Sequence, residues 1–187
     1  IMKNFSIIIP VYNEALNIAP LLNLINDYLK NFKKEIIVVN DCSTDQTLFE
    51  LNNLQNKFLF KIISHQKNLG QSNAIRTGIL NSKFKTIVTI DGDGQNDPKD
   101  IEKLVNLYFN DENTKLVAGI RLKRKDNFIK IISSKIANKI RMAILNDNCP
   151  DTGCSLKVFD KEIFLSFPFF NGIHRFLPAL FIGYGFR

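Results

Sequence analysis

No tryptophan occurs in the 187 residues, and cysteine (three), methionine (two) and histidine (two) are scarce. Cys42, Cys149 and Cys154 are odd in number and lack metal-type pairing, which argues against a disulfide framework and a zinc site. Reduced, small apolar cysteines are the expectation. No run reaches the ~18 to 20 uninterrupted apolar residues that a membrane-spanning helix needs. The opening Ile1-Met2-Lys3-Asn4-Phe5 leads straight into a short β-type run without the longer apolar core of a signal peptide. Cytoplasmic residence is therefore expected. With neither an internal repeat nor a low-complexity linker, residues 1–187 are expected to form a single domain.

What the chain does contain is ordinary in bulk. Hydrophobic residues make up 45% and charged residues 23%, the balance of a soluble globular protein able to bury one substantial core. The net charge of +7 asks for an anionic partner, and nucleic acid, an anionic membrane surface or a phosphorylated substrate would each satisfy it. Sixteen phenylalanines are unusual, and they crowd toward the C-terminal end from Phe159 onward. That end is expected to be core or lipid contact, with His174 within it a packed histidine more readily than a catalyst.

Strand-like and helix-like segments alternate. Residues 5–11 form a continuous apolar run suited to a buried parallel strand, and residues 15–29 carry helical spacing through Leu21, Leu22, Ile25 and Leu29, with Asn13 as the expected cap. Strands are expected at 35–39, 61–64, 86–90 and 116–120. Helices are expected from near Thr44 or Asp45, after Gly70, and over 100–109. Such alternation predicts a layered α/β fold with a mostly parallel central sheet flanked by helices. The polar clusters Tyr12-Asn13-Glu14, Asn40-Asp41, Asn68 and Asp91-Gly92-Asp93 fall at four successive strand ends, which share one edge of a parallel sheet and should converge on one cleft.

Asp91-Gly92-Asp93-Gly94-Gln95 is the most informative segment. Two carboxylates at i and i+2 leave the carboxyl edge of a sheet together, where open α/β folds place ligands. Packed this closely they repel unless a cation sits between them, and Mg²⁺ or Mn²⁺ shared with a substrate diphosphate answers that need. An acidic turn is the plain alternative. A calcium loop is a weak one, because Asn96 stands where that loop requires glycine and a strand precedes it.

Four motifs in order, Ile8-Ile9-Pro10-Val11-Tyr12-Asn13-Glu14, Val38-Val39-Asn40-Asp41-Cys42-Ser43-Thr44-Asp45, Asn68-Leu69-Gly70 and Asp91-Gly92-Asp93-Gly94-Gln95, resemble the inverting family-two glycosyltransferases of the GT-A fold. The nearest likeness is to the dolichol-phosphate mannosyltransferase-like branch, including bacterial enzymes that load undecaprenyl phosphate. The resemblance covers nearly the whole chain. It implies a nucleotide-diphosphate sugar as donor, read by Pro10, Tyr12, Asn13, Glu14, Asp41, Asn68, Gly70 and Asp91. It also implies a Mg²⁺ or Mn²⁺ ion held by Asp91 and Asp93 with Gln95 assisting. A polyprenyl phosphate acceptor is implied, its phosphate met by Arg121, Lys130 and Ser134. Asp91, Asp93 and Asp151 are the implied catalytic residues, Asp151 as base or as orienting acid. A simple turn at Asp151 and a solvated lysine at Lys130 are the bland alternatives.

A lipid acceptor requires a membrane surface, and peripheral residence on the cytoplasmic face is the expectation. Residues 128–145 trace an apolar stripe beside Lys135, Lys139 and Arg141, as a basic amphipathic helix at a lipid interface or as a surface helix packed on the core. A homo-oligomer is left open. The family often has glycine where Cys42 stands, and it continues beyond the position of Arg187, so the chain is expected to be a piece of a longer enzyme. Two other acceptor or donor chemistries stand beside this reading: transfer to a sugar hydroxyl, and nucleotidyl transfer, for which the Gly-rich loop after the first strand is missing. A non-catalytic basic module for membranes or nucleic acid is the alternative of another class. The paired carboxylates speak against nucleic acid, since they repel its phosphates.

Overall fold

The computed structural model describes residues 3–121 and 149–186. Within them six strands form one sheet in the order β3-β2-β1-β4-β6-β5. Its centre is β1 (Asn4–Val11), whose partners are β2 (Lys33–Asn40) and β4 (Thr86–Thr89), both parallel to it. The β1–β2 register runs without interruption from Asn4 opposite Lys33 to Val11 opposite Asn40. β3 (Lys61–Ser64) extends the parallel array beyond β2.

Period-two alternation explains how so apolar a strand is used on both faces. Phe5, Ile7, Ile9 and Val11 of β1 pack with α1 (Ile18–Tyr28), α2 (Thr47–Leu54) and α4 (Lys99–Asn110). Ile8 of the same strand packs with Ala74, Ile75 and Ile79 of α3 (Gln71–Leu80) on the opposite face. The chain steps from β1 to β2 to β3 over one face, then crosses back through α3 over the other to place β4 on the far side of β1. Strand order therefore reverses between β1 and β4, and open α/β sheets bind ligands in the crevice at such a switch point.

The sequence boundaries hold to within a few residues, with three differences. Asn13 does not cap α1. The helix starts at Ile18, where Glu14 O accepts from the amides of Asn17 and Ile18, and Asn13 sits at φ +58 with its side chain turned to the next loop. Strand β5 is short (Leu116–Ala118), and between it and β4 lies β6 (Lys157–Asp160), antiparallel to both and not foreseen. A four-residue strand that buries a lysine carries neither length nor apolar alternation to announce it. After it come α5 (Lys161–Ser166), capped by Asp160 Oδ1, and α6 (Ile173–Gly183).

The phenylalanine-rich end resolves mostly into core: Phe159, Phe164, Phe167 and Phe181 are buried against β1, β2 and α3, whereas Phe170 and Phe176 are exposed. Among the described residues no helix is long and apolar enough to cross a membrane. Lys130, Ser134 and the basic amphipathic segment at 128–145 lie outside the described residues.

Candidate active site

All four polar clusters meet at the carboxyl edge of the parallel strands. A cleft of about 300 Å³ is lined by Pro10, Tyr12 and Glu14 from the β1 end, Asp41 from β2, Asn68 and Gly70 before α3, and Asp91 and Asp93 after β4. The close approach of the β1 and β4 ends requires glycine at position 92, where a Cβ would stand 2.7 Å from Val11 Cγ1. Asn13 belongs to the frame instead of the lining: its Oδ1 accepts from the amide of Thr44 (2.7 Å) and its own amide donates to Ser43 Oγ (3.0 Å). It ties the β1 loop to the β2 loop. Cys42 adopts φ +62, the left-handed conformation that glycine reaches without steric cost.

Asp91 is the electrostatic centre. Burial, then the charge of Asp93, raise its carboxyl pKa to about 6, against partial relief from hydrogen bonds and the Lys157 ammonium. Its Oδ1 accepts from Gln71 Nε2 at 2.6 Å, and its amide donates to Ser155 Oγ at 3.0 Å. Two adjacent carboxylates, one of them held against its ionised form, are what a cation would relieve. Among the described residues no group of three or more His, Cys, Asp or Glu forms a metal cage. The donor set of Asp91 and Asp93 thus fits a hard ion that takes its remaining ligands from a substrate diphosphate and water, as Mg²⁺ and Mn²⁺ do. α3, ten residues long, begins beside these acids with Gly70 at φ +86, and its first amides favour an anion there.

Gln95, Arg121 and Asp151 stand together on the other side of the acidic loop. The Asp151 carboxylate, almost fully buried, accepts from Arg121 Nε (3.0 Å), Nη2 (3.1 Å) and the Arg121 amide (3.2 Å). Arg121 Nη1 donates in turn to Gln95 Oε1 at 3.3 Å. Gln95 therefore faces this second cavity, about 530 Å³ and lined also by Leu104, Ile120 and Leu156, not the cleft that holds Asp91. Gly153 makes room for the pair, since a Cβ there would meet Arg121 Nη2 at 2.9 Å.

Sequence reasoning missed Gln71, Ser155, Lys157 and His65. Gln71 was findable, because it directly follows Gly70 and so opens the helix that faces the acids. Lys157 gave no signal beyond its place in Asp151–Lys157. It is buried under the site, and its ammonium donates to the carbonyls of Thr152 (3.3 Å) and Cys154, with burial lowering its pKa. His174, as expected, is a packed residue: Ser72 Oγ lies 2.8 Å from its Nδ1, and burial, then Lys157, lower its pKa to about 4.

Comparison with known proteins agrees with this geometry. Residues 6–166 match the family described as Glycosyl transferase family 2. The chain is 34% identical over 183 residues to dodecaprenyl-phosphate galacturonate synthase of Rhizobium johnstonii, covering 95% of this chain and 54% of that protein. It thus spans about half the length of this curated relative. Among solved structures, mannosyltransferase PcManGT from Pyrobaculum calidifontis, in complex with GDP-Man and Mn²⁺, superposes with a TM-score of 0.62 at 19% identity, covering 87% of this chain and 46% of that one. Glucosyl-3-phosphoglycerate synthase from Mycobacterium tuberculosis, with Mn²⁺, uridine diphosphate and glucosyl-3-phosphoglycerate, gives 0.71 at 19% identity over 89% of this chain and 60% of that one. The architecture is the mostly parallel α/β fold of GT-A glycosyltransferases.

Proposed function

Because the chain belongs to glycosyl transferase family 2, we propose that it is the catalytic domain of an inverting, metal-dependent glycosyltransferase that moves a sugar from a nucleotide-diphosphate sugar to a polyprenyl phosphate. The observation that carries this reading is the cleft at the β1/β4 switch point, with Asp91 and Asp93 on one wall and the N-terminus of α3 on the other. The lipid acceptor is supported by the 34% identity to a synthase named for dodecaprenyl phosphate. Residues 1–187 act as one domain in this reading, working at the cytoplasmic face of the membrane.

The reaction is an in-line displacement at the anomeric carbon. An acceptor phosphate oxygen forms the new bond to that carbon as the bond to the leaving nucleoside diphosphate breaks, with inversion. A Mg²⁺ or Mn²⁺ ion held by Asp91 and Asp93 supplies charge neutralisation for the leaving diphosphate. Gln71 orients Asp91 through its 2.6 Å hydrogen bond, and the first amides of α3 face the same charge. A phosphate monoester, with a second pKa of roughly 6, is already mostly ionised at neutral pH and needs no general base. The bidentate grip of Arg121 on Asp151 fits that absence: Asp151 acts by fixing the guanidinium toward the acceptor side, not by taking a proton.

Incubating the purified protein with nucleotide sugars, undecaprenyl phosphate and Mn²⁺, with mass analysis of the lipid, tests the proposal. The expected product is a glycosyl phospholipid, absent for Asp91→Ala and Asp93→Ala and still measurable for Asp151→Asn. Transfer to sugar hydroxyls with none to the lipid would favour a polysaccharide-building enzyme. Equal loss in all three variants would refute the base-free route.

A further inference from the structure

Lys157 stands where the two halves of the site meet. In β6 it lies opposite Thr89, at the end of β4 that leads into Asp91, and opposite Ala118, at the end of β5 that leads toward Arg121. The residue is 2% exposed, and among the described residues it forms no ion pair. Its ammonium donates instead to two carbonyls of the preceding turn, Thr152 O at 3.3 Å and Cys154 O. A buried ammonium without a paired carboxylate costs stability, and an unbranched apolar side chain would fill the same space without that cost. Packing therefore does not account for the charge. The turn that it closes reaches both ways. Asp151, at its start, accepts from the Arg121 amide at 3.2 Å and from the guanidinium at 3.0 and 3.1 Å. Ser155, at its end, accepts through Oγ from the Asp91 amide at 3.0 Å and from Asn96 Nδ2 at 2.9 Å, and its carbonyl accepts from Thr89 Oγ1 at 2.6 Å. The two clamped carbonyls lie between these arms, and the same ammonium attracts both Asp91 and Asp151.

We propose that Lys157 is a positioning residue that couples the donor acids to the acceptor-side arginine. By clamping the Thr152 and Cys154 carbonyls, it holds Asp151 on Arg121 and Ser155 on the Asp91 loop in one relative placement. In-line displacement requires the attacking oxygen, the anomeric carbon and the leaving oxygen to be aligned. An acceptor held at Arg121 and a diphosphate held at Asp91 meet that requirement only when the spacing between their supports is fixed. Lys157 touches neither substrate and acts through the turn alone.

Lys157→Met in the whole chain removes the clamp and keeps the length of the side chain. Amide hydrogen exchange, resolved by nuclear magnetic resonance, is expected to speed up about tenfold at both the Asp91 and the Arg121 amide, roughly the worth of one hydrogen bond, with the β1 amides unchanged. Acceleration at only one of the two amides, or at neither, overturns the coupling. General acceleration that includes β1 also overturns it, by showing that Lys157 merely holds the fold. This half of the test needs no activity. The kinetic half rests on the transferase reading above. With nucleotide sugar, undecaprenyl phosphate and Mn²⁺, lipid glycosylation by Lys157→Met is expected to fall about tenfold or more in kcat, with KM for the nucleotide sugar unchanged. An unchanged kcat overturns the positioning role. A wild type that transfers no sugar, with both amides accelerated in the variant, overturns the transferase reading and leaves the coupling standing. Should Lys157→Met not fold, Lys157→Gln, uncharged and able to donate to one of the two carbonyls, is read in the same way.

Discussion

Replacing Asp91 by Asn and replacing His174 by Asn are expected to tilt the pH dependence of stability in opposite directions. Burial raises the Asp91 carboxyl to about 6 and lowers the His174 imidazole to about 4. For Asp91 the folded state binds a proton more readily than the unfolded chain, so stability rises as pH falls through 6 toward the ordinary carboxylate value. For His174 the unfolded chain binds the proton first, so stability falls as pH drops from about 6.5 toward 4. Linkage puts the Asp91 gain at about 1.4 kcal/mol and the His174 loss at about 2 kcal/mol between roughly pH 7.5 and roughly pH 5. In the metal-free wild type the two nearly cancel. Asp91→Asn then leaves the histidine unopposed and loses about 2 kcal/mol on acidification, while His174→Asn gains about 1.4 kcal/mol. Urea unfolding of the three proteins at both pH values, without metal, reads the difference directly. Two variants that respond to pH as the wild type does would refute the burial argument for both groups.

Asp151→Ala removes the bidentate carboxylate contact that Arg121 makes with Asp151 and is expected to cost about 3 kcal/mol of stability, measured by urea unfolding, because it strips that carboxylate from a largely buried guanidinium. Gly153→Ala, which places a methyl 2.9 Å from Arg121 Nη2, is expected to cut transfer severalfold while the melting temperature changes little. Gly78→Ala drives a Cβ to within 2.4 Å of Ile8 Cγ2 where α3 meets β1. A stability loss of about 1 to 3 kcal/mol is expected, read as a lower urea midpoint.

The parallel half of the sheet was legible because β-branched runs such as Ile7-Ile8-Ile9 and Ile36-Ile37-Val38-Val39, buried on both faces, alternate with helical segments, as central parallel strands do. The cleft at the strand ends was legible for the same reason: once the strands are parallel, their carboxyl ends share an edge. Pairings between side chains far apart in sequence were not. Asp41 and Asp151 read as acids with a role toward ligand, yet the first is largely consumed by His65, Leu69 and Gly70, and the second by Arg121. Strand β6 stayed hidden because Lys157 broke its apolar pattern, although Coulomb attraction from Asp91 and Asp151 helps the site tolerate that buried ammonium. The resemblance placed Gln95 beside Asp91 and Asp93, whereas the chain, turning at Gly94 with φ +70, brings its side chain to Arg121.

Electron paramagnetic resonance of Mn²⁺ titrated into the protein, with and without nucleoside diphosphate, tests the central claim most directly: that Asp91 and Asp93 hold a cation completed by the substrate diphosphate. Two carboxylates alone make a weak site, so the account predicts tight, immobilised Mn²⁺ only when the diphosphate is present, and loss of that signal in Asp91→Ala and Asp93→Ala. Mn²⁺ bound equally tightly without nucleotide, or bound unchanged after both substitutions, would contradict it.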